Sequence, residues 1–253
     1  MNDHEVARHI ARRAGDLLAA IRIDSPGLPS RELGALGDRA AHELCMELFR
    51  EFRPGDVVLS EEGIIDSERL QHDRLWIIDP LDGTSHYSSR GDDYAVHIAL
   101  WEREASQLSG IVAASVYVPA TGVMLSMDDE VIPSIARAEE IRILVSRTRP
   151  PREIDRIAAE LHAATGRDVA VSPMGSVGAK VAHIVAGFAD MYINTGGFHE
   201  WDIAAPLGVA HHYGLAVCDR EGNHLDFNRP DTMIANAVIT RPEFVPTLIH
   251  SLA

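Results

Sequence analysis

The chain has 253 residues, 46% hydrophobic and 6% aromatic, enough apolar material for one large domain or two fused lobes. Its formal charge of −15, from 23 basic and 38 acidic side chains, argues against a nucleic-acid polymer or an anionic membrane as partner. Cys45 and Cys218, the only cysteines, have no paired spacing and so argue against a disulfide framework or a Cys-rich zinc site.

In chain order, apolar residues at Val6, Ile10, Leu17, Leu18 and Ile21 predict an amphipathic helix over residues 4–22. Pro26 to Pro29 breaks it, and a second helix is expected over about 36–52, with Asp38 in its first turn. Val57-Val-Leu-Ser60 reads as a short strand delivering Glu61 and Glu62 at its end, and Arg74–Asp79 as another strand ending in a carboxylate. From 93 to 127 three strands are expected, over Tyr94–Trp101, Ser109–Tyr117 and Gly122–Met127, with Pro119-Ala-Thr-Gly122 as a hairpin turn. The acidic, irregular stretch Asp128–Glu140 suits a junction between an N-terminal α+β lobe, 1–135, and a C-terminal α/β lobe, 136–253. Beyond it, strands over Ile141–Ser146, Asp168–Ser172 and Asp190–Asn194 alternate with helices over about 151–165, 176–187 and 202–213, an α/β arrangement. No apolar run reaches the roughly 20 residues that span a membrane. No apolar leader follows Met1, so a cytoplasmic protein is expected.

Three acidic elements carry chemistry: Glu61-Glu62, Asp79-Pro-Leu-Asp82 and Asp202. Carboxylates at strand ends converge where strands lie side by side, and without a cation they repel and take up protons. Hard oxygen donors in that number suit Mg²⁺, which also bridges an acidic protein to an anionic substrate. With Pro80 starting a helical turn, Asp79 and Asp82 point to one side and leave the Leu81 carbonyl as a further oxygen ligand. Gly83-Thr84-Ser85 then offers glycine and helix-start N–H groups to a phosphate. Taken singly each piece is ordinary: a turn, a solvated edge, a helix cap.

Together the motifs Ser60-Glu61-Glu62, Trp76-Ile-Ile-Asp-Pro-Leu-Asp-Gly-Thr84 and Trp201-Asp-Ile-Ala-Ala205 resemble those of the lithium-sensitive inositol monophosphatase superfamily, in order and spacing, from about Leu33 to Pro230. The resemblance implies a layered αβαβα sandwich and a phosphatase using two or three Mg²⁺ ions to activate water. It further implies that Glu61, Asp79 and the Leu81 carbonyl hold one ion. Asp79, Asp82 and Asp202 would hold a second, with Glu61 and Asp202 also facing substrate. Gly83, Thr84 and Ser85 would bind the scissile phosphate. Asp38, in Leu36-Gly-Asp38, matches the family's upstream Asp, which with Glu61 or Thr84 would orient the attacking water. Here the usual Thr before it is missing and Gly37 replaces an Ala.

Within the superfamily, Gly91–Trp101, Gly175-Ser-Val-Gly-Ala-Lys180 and Gly222–Pro230 look most like the CysQ branch, phosphatases of 3′-phosphoadenosine 5′-phosphate. That likeness gives Ser176 and Lys180, the only lysine beside 22 arginines, a place by the nucleotide's second phosphate. The segment Ser85-His86-Tyr87 departs from the branch, which usually has a charged residue and then Phe. Thr195 stands where inositol-phosphate enzymes often carry Glu, which weighs against inositol phosphate. The expected activity is therefore a 3′(2′),5′-bisphosphate nucleotidase that releases AMP and phosphate. Alternatives are a broad inositol 1-phosphate or fructose 1,6-bisphosphate phosphatase, and a silent metal- and nucleotide-binding sensor. His199, His211 and His212 read as packing or surface residues rather than a zinc site. Homodimers occur among relatives, although no interface is marked in the sequence.

Overall fold

The computed structural model describes residues 1–105, 108–131 and 139–252. Two long helices open the chain, α1 (Asp3–Asp24) and α2 (Ser30–Phe52). A capping box starts α1: Asn2 Oδ1 accepts the Glu5 N–H at 2.8 Å and Glu5 Oε2 accepts the Asn2 N–H at 2.7 Å. The second helix begins six residues earlier than its periodicity suggested, so Asp38 lies inside α2 rather than in its first turn.

The first sheet has the order β1 (Val57–Ser60), β2 (Arg74–Asp82), β3 (Ala95–Glu102), β4 (Ile111–Val118) and β5 (Val123–Ser126). Only β1 and β2 run parallel within it. A five-residue helix, α3 (Thr84–Ser88), follows β2.

The second half alternates β6 (Ile141–Ser146), α4 (Ile154–Thr165), β7 (Val169–Met174), α5 (Val177–Val185), β8 (Met191–Asn194), β9 (Phe198–His199) and α6 (Glu200–His212). It ends with β10 (Ala216–Cys218), β11 (Met233–Ile234), β12 (Ala237–Thr240) and α7 (Val245–Leu252). Here β6 lies between parallel partners β7 and β8, and β12 and β10 extend the sheet antiparallel; β9 and β11 form a small pair of their own.

Alternation along the strands sorts the core into three layers. Trp76, Ile78, Val96 and Ile98 face α1 and α2, with Ile10, Leu18 and Phe49. Their neighbours Leu75, Ile77, Ala95 and Ala99 face the opposite way and join Val181 of α5, Val209 of α6, and Leu144 and Tyr192 of the second sheet. On that sheet's far side Ile143, Val145 and Ile193 meet Leu161 of α4 and Leu248 of α7. The result is helices, sheet, helices, sheet, helices: the αβαβα sandwich. The expected lobe boundary at 135/136 falls outside the described residues, and the central apolar layer is continuous between the two sheets. Among the described residues no helix is long and apolar enough to cross a membrane.

Candidate active site

One cavity lies between the ends of the two sheets, lined by Glu61, Asp79, Leu81, Asp82, Gly83, Thr84, Ser85, Ser176, Lys180 and Asp202. Its wall thus gathers every sequence-predicted site residue except Asp38, which stands behind it. The three aspartates Asp79, Asp82 and Asp202 offer oxygens within 4.8 Å of one another.

The structure corrects how Asp79 and Asp82 come to share a side. No helical turn starts at Pro80: β2 runs on to Asp82, and α3 starts only at Thr84. In a regular strand, residues three apart face opposite sides. The register against β3 shifts between Asp79, opposite His97, and Asp82, opposite Ala95. That irregularity returns both carboxylates to the cavity, the use to which strand bulges are put beside active sites.

Each aspartate spends one oxygen on the protein. Asp79 Oδ1 accepts the Leu81 N–H at 3.0 Å, and Asp202 Oδ2 accepts the His199 N–H at 2.6 Å. Asp82 Oδ2 accepts from Ser176 Oγ at 2.6 Å, Val177 N at 2.5 Å and Gly178 N at 3.2 Å, capping α5 from the other sheet. The buried His97 ring also touches this oxygen, with Nε2 at 3.2 Å.

Burial first, and then mutual repulsion, raise the proton affinity of the cluster. Burial of its carboxyl group and the Asp202 charge push Glu61 up to about 8, although the residue as a whole is exposed, and the neighbouring Asp79 works the other way. Burial and Asp82 push Asp202 up to about 7; burial, Glu61 and Asp82 lift Asp79 well above the carboxylate range. The oxygen-only donor set of this cluster fits a hard divalent cation such as Mg²⁺.

Gly83 follows with φ +90°, and a Cβ there would meet the Asp93 carbonyl oxygen at 2.6 Å, so only glycine makes the bend into α3. Thr84 Oγ1 then stands 3.0 Å from Asp38 Oδ1 and 3.1 Å from the Leu81 oxygen, one hydroxyl proton between two acceptors. Burial, with the nearby Glu62 charge, raises Asp38 to about 6, against the lowering by the Thr84 hydrogen bond. Gly37 is explained here too. A Cβ on it would fall 2.6 Å from Tyr87 Cε1, and Tyr87 is buried with its hydroxyl donating to the Leu18 oxygen at 3.0 Å.

Ser176 caps α5: its hydroxyl donates to Asp82 and accepts the Ala179 N–H at 3.1 Å. Lys180 is 3% exposed, donates from Nζ to the Ser176 oxygen at 2.9 Å and the Gly175 oxygen at 3.3 Å, and lies over the Tyr192 ring. Burial lowers its affinity for the proton to about 8, although Asp82, Asp93 and Asp202 favour the charged form.

Sequence reasoning missed Asn194 and the segment Ser146-Arg147-Thr148-Arg149, which line the cavity together with His86. It also missed Asp93, whose Oδ2 joins Gly175 N and Arg147 Nη2, each at 3.0 Å. The one available signal was position: Ser146 ends a central parallel strand, where α/β sheets bind ligands. Among the 22 arginines of this chain, these two attract no notice.

Residues 6–252 match the model of the inositol monophosphatase family. A 3′-phosphoadenosine 5′-phosphate phosphatase of Mycobacterium bovis is 40% identical over 246 residues, 95% of this chain and 89% of that one. The 3′(2′),5′-bisphosphate nucleotidase CysQ of Escherichia coli is 29% identical over 89% of this chain and 94% of its own length. The crystal structure of CysQ from Bacteroides thetaiotaomicron superposes with a TM-score of 0.78 at 24% identity, covering 94% of this chain and 97% of that one. The chain belongs to the inositol monophosphatase family and is a phosphatase of that family.

Proposed function

We propose that this phosphatase is a Mg²⁺-dependent 3′(2′),5′-bisphosphate nucleotidase that converts 3′-phosphoadenosine 5′-phosphate to AMP and phosphate in the cytoplasm. The observation that carries the reading is one cavity in which four carboxylates, the Gly83–Ser85 bend and the start of the Lys180 helix meet. The 40%-identical relative bearing that activity in its name supports the choice of substrate. Thr195 brings no carboxylate to the place where inositol-phosphate enzymes often carry one.

Glu61, Asp79 and the Leu81 carbonyl would hold one ion, and Asp79, Asp82 and Asp202 a second. When bound, Mg²⁺ supplies Lewis acidity, easing proton loss from water and neutralising charge on phosphoryl and leaving oxygens. The remaining work falls to the chain. The Thr84 and Ser85 N–H groups at the start of α3 would face the scissile phosphate, since the helix carbonyls begin to be used only at His86. Asp38, raised to about 6 and accepting the Thr84 hydroxyl hydrogen bond, is a base poised near neutral pH: a proton given up by the attacking water to Thr84 Oγ1 would be matched by the hydroxyl proton moving to Asp38. Ser176 and Lys180 act on the nucleotide side, where the Lys180 charge offsets the carboxylates that would otherwise repel a second phosphate.

The test is phosphate release from 3′-phosphoadenosine 5′-phosphate, inositol 1-phosphate and fructose 1,6-bisphosphate, with and without Mg²⁺. The reading expects the nucleotide to have the highest kcat/KM and chelator to abolish turnover. A preference for inositol 1-phosphate would overturn it.

A further inference from the structure

A bisphosphate substrate poses an electrostatic problem that the acidic floor does not solve. One phosphate can share the cations held by the carboxylates, but the other needs positive charge supplied by the protein itself. Lys180 supplies some, yet two of its three N–H groups are spent on the Gly175 and Ser176 carbonyls.

The loop after β6 supplies more. Arg147 and Arg149 both line the cavity and are exposed. Arg147 Nη2 donates to Asp93 Oδ2 at 3.0 Å, on the same oxygen that accepts the Gly175 N–H. Arg149 Nη1 donates to the Gly197 oxygen at 3.3 Å. Each guanidinium is therefore steered by one anchor and keeps most of its five N–H donors for something else. Their charges are felt at the floor: Arg149 acts on Asp202, and Arg147 on Lys180. Two planar forks on one short loop suit phosphate better than a single ammonium does.

We propose that Arg147 and Arg149 bind the non-scissile phosphate of a nucleoside bisphosphate, with Asp93 and the Gly197 carbonyl holding the two guanidinium groups in place. This rests on the nucleotidase reading and names the residues that make the second phosphate count. The arginines confer preference for a bisphosphate over a monophosphate, while the carboxylate floor serves both.

Wild type, Arg147→Ala, Arg149→Ala and Arg149→Lys are compared on adenosine 3′,5′-bisphosphate and on adenosine 3′-phosphate, which lacks the second phosphate. The Kd of AMP is measured by calorimetry alongside. Loss of a charge-assisted contact predicts a fall of about tenfold or more in kcat/KM for the bisphosphate and a matching rise in Kd for AMP. Turnover of the monophosphate stays within about twofold, because the floor is untouched. Arg149→Lys falls between, keeping charge without the fork. Since Arg147→Ala also strips Asp93 of a partner, Arg149→Ala is decisive, with thermal melting as the folding control. Equal losses on both substrates, or no loss on the bisphosphate, would overturn the proposal. A wild-type enzyme indifferent to the second phosphate would instead remove the nucleotidase reading, and this proposal with it, before any variant is made.

Discussion

Asp82 and Ser176 join the two sheets at the cavity: the Ser176 hydroxyl donates to Asp82 Oδ2 at 2.6 Å, and the Val177 N–H reaches the same oxygen at 2.5 Å. One carboxylate oxygen caps α5, and the other remains for a cation. Ser176→Ala removes the hydroxyl that caps the Ala179 N–H and one of the three donors to Asp82 Oδ2, leaving the Val177 and Gly178 N–H groups. It should cost about 1 kcal/mol of stability and raise the Mg²⁺ concentration needed for half-maximal activity. Thermal unfolding and a Mg²⁺ titration of turnover check the two effects.

Gly37 leaves room for the Tyr87 ring, whose Cε1 a Cβ there would meet at 2.6 Å. In Gly37→Ala, the new methyl group meets a buried ring held through its hydroxyl to Leu18. Overpacking of this kind costs about 1–3 kcal/mol, and the displaced turn of α2 carries Asp38 away from Thr84. Lower kcat with a lower melting temperature is expected. Gly27→Ala, with nothing within 4 Å of the added methyl, is the control and should change neither.

Asp79→Asn keeps the side-chain shape and the oxygen that accepts from Leu81, but removes a charge from the repelling cluster. Turnover dependent on Mg²⁺ should vanish. In chelator, the variant should melt no lower than wild type, because the buried charge it lacks was unfavourable there. A clearly lower melting temperature in chelator would contradict the repulsion.

The pH dependence of the metal-free protein follows from the raised groups. Unfolded, Glu61 and Asp202 lose their protons near 4.5 and 3.8; folded, they hold them to about 8 and about 7. Between these limits the folded state binds more protons, so stability is greatest at the acid side and falls as pH rises through 7 to 8. In chelator, melting temperature should therefore drop between pH 6 and pH 8.5. Saturating Mg²⁺, which replaces the protons, should remove most of that drop. Paired melting curves at the two pH values, each with Mg²⁺ and with chelator, decide it.

Much of this protein was legible in one dimension because its chemistry is local. Asp79, Asp82 and the start of the glycine bend lie within Asp79–Thr84, and strand alternation at Leu75, Trp76, Ile77 and Ile78 already separates two faces of a sheet. The start of α2 was not legible, because burial of Leu33 and Gly34 against neighbouring elements extends a helix that local periodicity begins later. Nor was the path from Asp79 to Asp82. A proline three residues before Gly83 reads as a helical start, whereas pairing with β3 keeps the segment a strand until its register shifts.

By itself, then, the sequence determined the strand and helix pattern and, through motifs of fixed spacing and the family they resemble, the layered fold, the carboxylates of the cavity and the Gly83–Ser85 bend. Only the tertiary structure decided what stands around that bend. Asp82 caps a helix 94 residues away in sequence, reaching Ser176. Arg147 and Arg149 come to the same cavity from a strand of the other sheet, through contacts with Asp93 and Gly197. Such meetings depend on how two sheets pack across a shared helical layer, and no local spacing encodes that.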